Sequence, residues 1–145
     1  MSWLWFTPKL DHARVVAAIS AAERLTSGEI QVLIARHRAP DPVAAAQRHF
    51  RRLGLANSPH RNSVLLFVAP RSRSFAVIGD QGIHERCGDA FWTELAAAMT
   101  AYFQRGEFTE GLVHGIARAG ELLAVHFPRT AGDPPPPPPV AADVD

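Results

Sequence analysis

Apolar and polar positions change period several times along the chain, and each change marks an element. Over residues 11–25, Val15, Val16, Ile19, Ala22 and Leu25 recur at helical spacing, with Asp11 placed to cap the first turn. Thr26, Ser27 and Gly28 close that helix, and Gly28 is expected in the left-handed position just past its end. Residues 29–35 read E-I-Q-V-L-I-A, a short and almost continuously apolar run that suits a strand covered on both faces. Asp41 and Pro42 then start a second helix, which runs to about Leu53 with Val43, Ala46, Phe50 and Leu53 inward. Strand, helix, strand implies a right-handed crossover.

The second strand spans 62–69 around V-L-L-F-V, and the third spans 74–79 around F-A-V-I. Only the polar turn at 70–73 separates them, so they form an antiparallel hairpin. A short helical turn follows Gly79, Asp80, Gln81 and Gly82. The next helix begins near Asp89, carries Phe91, Trp92, Leu95, Met99, Tyr102 and Phe103, and breaks at Gly106. A last helix covers about 108–127, with Leu112, Ile116, Leu123 and Phe127 inward. Gly111, Gly115 and Gly120 inside it each cost ~1 kcal/mol against Ala, which predicts close packing there. The sum is an α/β protein: an α/β/α sandwich with a small mixed sheet, built from a βαβ crossover plus a β-hairpin, with helices on both faces. Three segments are expected: an apolar N-terminal stretch at 1–10, the domain at 11–128, and a proline-rich tail at 129–145. Six consecutive prolines, 134–139, predict that the tail is extended and disordered.

Composition narrows the setting. The net charge of +1 gives no field for nucleic acid, so none is expected as a partner. The single cysteine, Cys87, cannot form an internal disulfide, which favours a reducing compartment. No run reaches the ~18 apolar residues of a membrane span. The first residues lack the basic region and cleavage site of a signal peptide. These features predict a cytoplasmic location. Trp3 to Phe6 either pack on the domain or form a foot at a membrane surface.

Strand direction sorts the polar residues into two ends of the sheet. One end collects Glu29, Arg61, Asn62 and Asp80 with Gly79 and Gly82, which permit close approach by a ligand or by another stretch of backbone. Glu29, Asn62 and Asp80 offer hard oxygens of the kind Ca²⁺ or Mg²⁺ takes. The same residues have a structural alternative, in which Arg61 pairs with Asp80 or Glu29 and Asn62 fixes a turn. The other end collects Arg36, His37, Arg38, Arg71 and Arg73, a set that favours an anion or an acidic partner. Arg48, His49, Arg51 and Arg52 form a further basic stretch that reads first as a solvated helix face. His84, Glu85, Cys87 and Asp89 are close in sequence but lack zinc-ligand spacing. No G-x-x-x-x-G-K-[ST], H-E-x-x-H or G-x-S-x-G occurs.

Five segments occur in a telling order: T-S-G-E-I at 26–30, R-N-S-V-L at 61–65, G-D-Q-G-I at 79–83, F-W at 91–92, and G-E-F-T-E-G-L at 106–112 followed by Gly115 and Ile116. In this register they resemble the TPM domain over roughly residues 11–128. The resemblance implies an α/β/α sandwich and gives weight to Gly28, Glu29, Asn62, Gly79, Asp80 and Gly82. Some TPM members are described as acid phosphatases, some bind calcium or other divalent cations, and others act as assembly factors for membrane complexes. The expected function is a non-catalytic binding or assembly module with a protein partner, which the resemblance to assembly factors associates with membranes. The alternatives are a divalent-metal-dependent phosphatase working at Glu29, Asn62 and Asp80, and a membrane-surface adaptor.

Overall fold

The computed structural model describes residues 10–144. The apolar segment at 1–10, including Trp3 to Phe6, lies almost wholly outside them. In chain order the elements are α1 His12–Glu23, β1 Ile30–Ala35, α2 Pro42–Arg52, β2 Val64–Ala69, β3 Ser74–Gly79, α3 Gln81–Cys87, α4 Ala90–Gln104, α5 Phe108–His126 and β4 Val140–Val144. The sheet order is β3-β2-β1-β4. β1 runs parallel to β2, with Ile30 opposite Val64, and β2 runs antiparallel to β3, with Val64 opposite Gly79. The crossover and the hairpin are therefore as the sequence predicts.

Alternation along the strands builds two cores. Ile30, Val32, Val64, Leu66 and Val68 pack on one face against Val15 and Ile19 of α1, Leu95, Met99 and Phe103 of α4, and Leu112, Ile116 and Leu123 of α5. Leu33, Ala35, Leu65, Phe67 and Ala69 face the other way, toward Ala45, Ala46 and Phe50 of α2. Every side chain of β2 is buried, which is why its sequence shows no polar alternation.

The helix starts follow their caps. Asp11 accepts from the Arg14 amide and Asp41 from the Ala44 amide, both at 3.1 Å. Asp41→Ala is expected to cost about 1 kcal/mol, read as a lower thermal midpoint with an unchanged fold. Some inward assignments fail at helix ends. Leu25, Val43 and Leu53 are 56%, 48% and 43% exposed. Leu25 and Leu53 lie past the last turns of α1 and α2, and Val43 sits in the first turn of α2, ahead of the Ala45–Phe50 stripe. Gly28 is not left-handed; the positive-φ glycines among the described residues are Gly54, Gly88 and Gly106.

The largest departure is the tail. Val140–Val144 is a strand, parallel to β1 with Gln31 opposite Val140 and Ala35 opposite Val144. The physical reason lies in β1. Without β4, its outer edge would present an unpaired row of backbone groups. Val140, Ala142 and Val144 add to the α2-side core and Ala141 to the opposite one. Six prolines at ~3.1 Å each span about 19 Å as a stiff left-handed rod, and they bring no N–H groups that would need partners on the way.

Candidate functional site

Glu29, Arg61, Asn62 and Asp80 do gather at one end of the sheet, but they are engaged with the chain itself. Asp80 follows β3 and caps α3, accepting the Gln81 amide at 2.8 Å. Arg61 grips both of its carboxylate oxygens, Nε to Oδ2 at 2.9 Å and Nη2 to Oδ1 at 3.0 Å. The Asp80 side chain is only 5% exposed, while Arg61 is 45% exposed. Arg61 reaches this position from a left-handed backbone, φ +51°, held by its amide bonding to Ser58. Its carbonyl in turn accepts the Gly82 amide at 2.9 Å. Of the two partners the sequence left open to Arg61, the structure selects Asp80.

The glycines at this end admit backbone. A Cβ on Gly82 would sit 2.4 Å from the His60 carbonyl oxygen and 2.7 Å from that of Arg61. A Cβ on Gly28 would sit 2.9 Å from the Asn62 carbonyl oxygen. A Cβ on Gly79 would sit 3.4 Å from the Trp92 ring, an ordinary contact distance. Asn62 is buried and donates to Ser27 Oγ at 3.2 Å, which ties the start of β2 to the turn before β1. Glu29 accepts from Gln31 Nε2 at 3.4 Å. It precedes β1 while Asp80 follows β3, with β2 between them, so their backbones lie about 10 Å apart. Among the described residues no group of three or more His, Cys, Asp or Glu side chains is placed to hold a metal ion. His84 instead pairs with Asp89 at 3.2 Å and Glu85 takes Gln81 Nε2 at 3.0 Å. Burial pushes the Cys87 thiol up.

The basic set collects at the opposite end, beyond the carboxyl ends of β1 and β2. The two loops that carry it are stitched together. Ser72 Oγ accepts the Ala39 amide at 2.6 Å, and Ser74 Oγ donates to the Ala39 carbonyl at 3.2 Å. Arg36, His37, Arg38, Arg71 and Arg73 are all exposed. Arg73, like Arg61, is left-handed, which ends the tight Pro70–Ser72 turn. The basic face of α2 is less simple than it reads. His49 stacks on Phe67 with ring centroids 5.5 Å apart, and burial together with Arg52 and Arg48 pushes its imidazole down.

Glu23 is a titratable group that escapes the sequence reading. It is 2% exposed on the inner face of α1. Its Oε2 accepts the Ile30 amide at 2.8 Å, at the edge of β1 just before β4 begins. Its Oε1 is buried with no partner among the described residues. Burial pushes this carboxyl up to about 7; the Ile30 amide opposes that shift, Glu29 adds to it, and Arg129 opposes it. The signal was present in the spacing: Val15, Ile19 and Glu23 follow at i, i+4 and i+8 on one face.

A family model of the TPM domain matches residues 6–122. The solution structure of the BA42 protein from the psychrophilic bacterium Bizionia argentinensis is similar at 34% identity and a TM-score of 0.84, over 93% of this chain and 95% of that one. The N-terminal domain of a P. gingivalis protein is similar in fold, with 19% identity and a TM-score of 0.64, over 81% of this chain and 78% of that one. Among curated proteins nothing matches. The matched model spans most of the chain, including every strand of the crossover and hairpin, and the chain belongs to the TPM domain family.

Proposed function

We propose that this chain is a non-catalytic binding module that receives an acidic segment of a partner protein at the basic end of its sheet. The observation that carries this reading is the engagement of Asp80. The Asp80 carboxylate accepts two guanidinium bonds, caps a helix and is only 5% exposed, so three of its roughly four acceptor sites and nearly all of its surface are committed to the fold. The loops at the other end are short, tied to each other and dense in exposed cations. They lie beyond the carboxyl ends of parallel strands, where open α/β sheets bind their ligands.

The test has two arms. Titration with a Glu/Asp-rich peptide should shift the amide resonances of residues 36–38 and 71–73. Arg71→Glu with Arg73→Glu should weaken that binding by roughly tenfold, and raised salt should weaken it in the parent. In the second arm, an aryl phosphate should show no turnover with or without Mg²⁺ or Ca²⁺. Metal-dependent hydrolysis that disappears in Asp80→Asn, or metal-induced shifts centred on Glu29, Asn62 and Asp80, would replace this reading with the phosphatase.

A further inference from the structure

The proline-rich segment and β4 lie across Glu23. A cavity of about 390 Å³ is bounded by Ser20 and Glu23 of α1, by Arg24 just past its end, and by prolines 136–139. Exposure along the rod follows a three-residue period. Asp133, Pro136 and Pro139 are half-buried, while Pro134, Pro135, Pro137 and Pro138 are exposed. Three residues per turn is the repeat of a polyproline helix, so one ridge rests on the body. The rod is pinned at both ends. Arg129 Nη1 donates to the Pro134 carbonyl at 2.6 Å while its Nε donates to the Glu23 carbonyl at 3.0 Å. At the far end, β4 enters the sheet one residue past the Ile30 amide that Glu23 holds, and the Arg36 amide bonds to the Val144 carbonyl at 2.8 Å.

We propose that residues 134–144 form a detachable strap over Glu23, seated while the Glu23 carboxyl is protonated and released when it ionises. Beneath the seated strap Oε1 is buried, with no donor among the described residues. An ionised carboxylate in that position loses its hydration and gains little, whereas a protonated one is tolerated. Lifting the strap lets water reach the oxygen and restores the ordinary carboxyl range. The seated form therefore binds the proton more tightly. Its advantage is complete below about 4.5, the ordinary value, and is lost as pH rises through about 7.

The charged groups around Glu23 set the controls. Arg24 lines the cavity from the C-terminal end of α1, Glu29 acts from just before β1, and Arg129 acts from the segment after α5. At this level α5 contributes the uncharged approach of Gly120 to Ala22. On the strap, Asp133 is held by the Thr130 amide and hydroxyl. On β4, Asp143 lies 3.9 Å from His12, a pair that exists only with a protonated imidazole. The variant His12→Gln separates this contact from Glu23.

Hydrogen exchange of the full chain, followed by NMR from pH 5 to 8, tests the strap. Protection of the β4 amides, referenced to β2, should fall at least about tenfold across this range, because each pH unit moves a linked equilibrium by up to tenfold. The midpoint should coincide with the Glu23 carboxyl titration in the same sample. Glu23→Gln should make β4 protection independent of pH, and His12→Gln should leave the fall in place. Flat protection in the parent, a fall that persists in Glu23→Gln, or one abolished by His12→Gln would overturn the proposal. The parent profile and its coincidence with the Glu23 titration decide the matter even if Glu23→Gln does not fold.

Discussion

Gly82→Ala is expected to destabilise the domain by about 3 kcal/mol, the upper end for a forced methyl group in a packed site. The added Cβ would meet two backbone carbonyl oxygens at 2.4 and 2.7 Å, and neither can rotate away as a side chain would. The only relief is to separate the 79–83 turn from residues 60–61. That separation breaks the bond from the Gly82 amide to the Arg61 carbonyl and loosens the grip of Arg61 on Asp80. Urea unfolding measures the effect directly. Gly132→Ala is the reference, because a Cβ there meets nothing within 4 Å and should change the midpoint little. Equal midpoints for the two variants would show that the turn yields freely and that the glycine is there for some other purpose.

Asp80→Ala should cost about 2 to 3 kcal/mol, the sum of a lost helix cap and two lost charged hydrogen bonds, reduced because the half-exposed Arg61 regains water. Asp80→Asn should fall between the parent and Asp80→Ala, since a carbonyl oxygen at the Oδ1 position keeps the cap and the Arg61 Nη2 bond while the amide nitrogen at the Oδ2 position loses the bond from Arg61 Nε. The consequence is sharper than the number. If Asp80 is structural, both variants lose stability and neither changes any hydrolytic rate. A catalytic Asp80 would give the reverse pattern in Asp80→Asn, with activity gone and the fold nearly intact. Denaturation and an aryl phosphate assay on the same preparations separate these outcomes.

Local patterns settle most of the fold. The apolar runs of β1 and β2, the Asp caps at 11 and 41 and the four-residue turn after Ala69 each report a short-range preference that the tertiary structure keeps. The five family segments are legible for a related reason. Gly28 and Gly82 stand where backbone oxygens come closer than a Cβ tolerates, and Gly79 stands where a Cβ would touch the Trp92 ring. What spacing could not show was the direction in which Asp80 is used. A carboxylate beside glycines suits a cation equally well on paper. Only the left-handed turn at Arg61, nineteen positions earlier, swings a guanidinium onto it.

The hydrophobic pattern by itself determined the layers, the crossover and the hairpin, because burial on two faces imposes its period on every strand and helix inside it. Tertiary structure alone decided the fourth strand and the environment of Glu23. V-A-A-D-V is too short and too weakly patterned to announce a strand, and six prolines before it read as a solvated tail. Its stability comes from the open edge of β1, more than a hundred residues away. The same packing turns Glu23, a polar residue on an otherwise apolar stripe, into a buried carboxyl with one oxygen unpartnered among the described residues. Neither fact resides in the local sequence, because each belongs to the contact between its two ends.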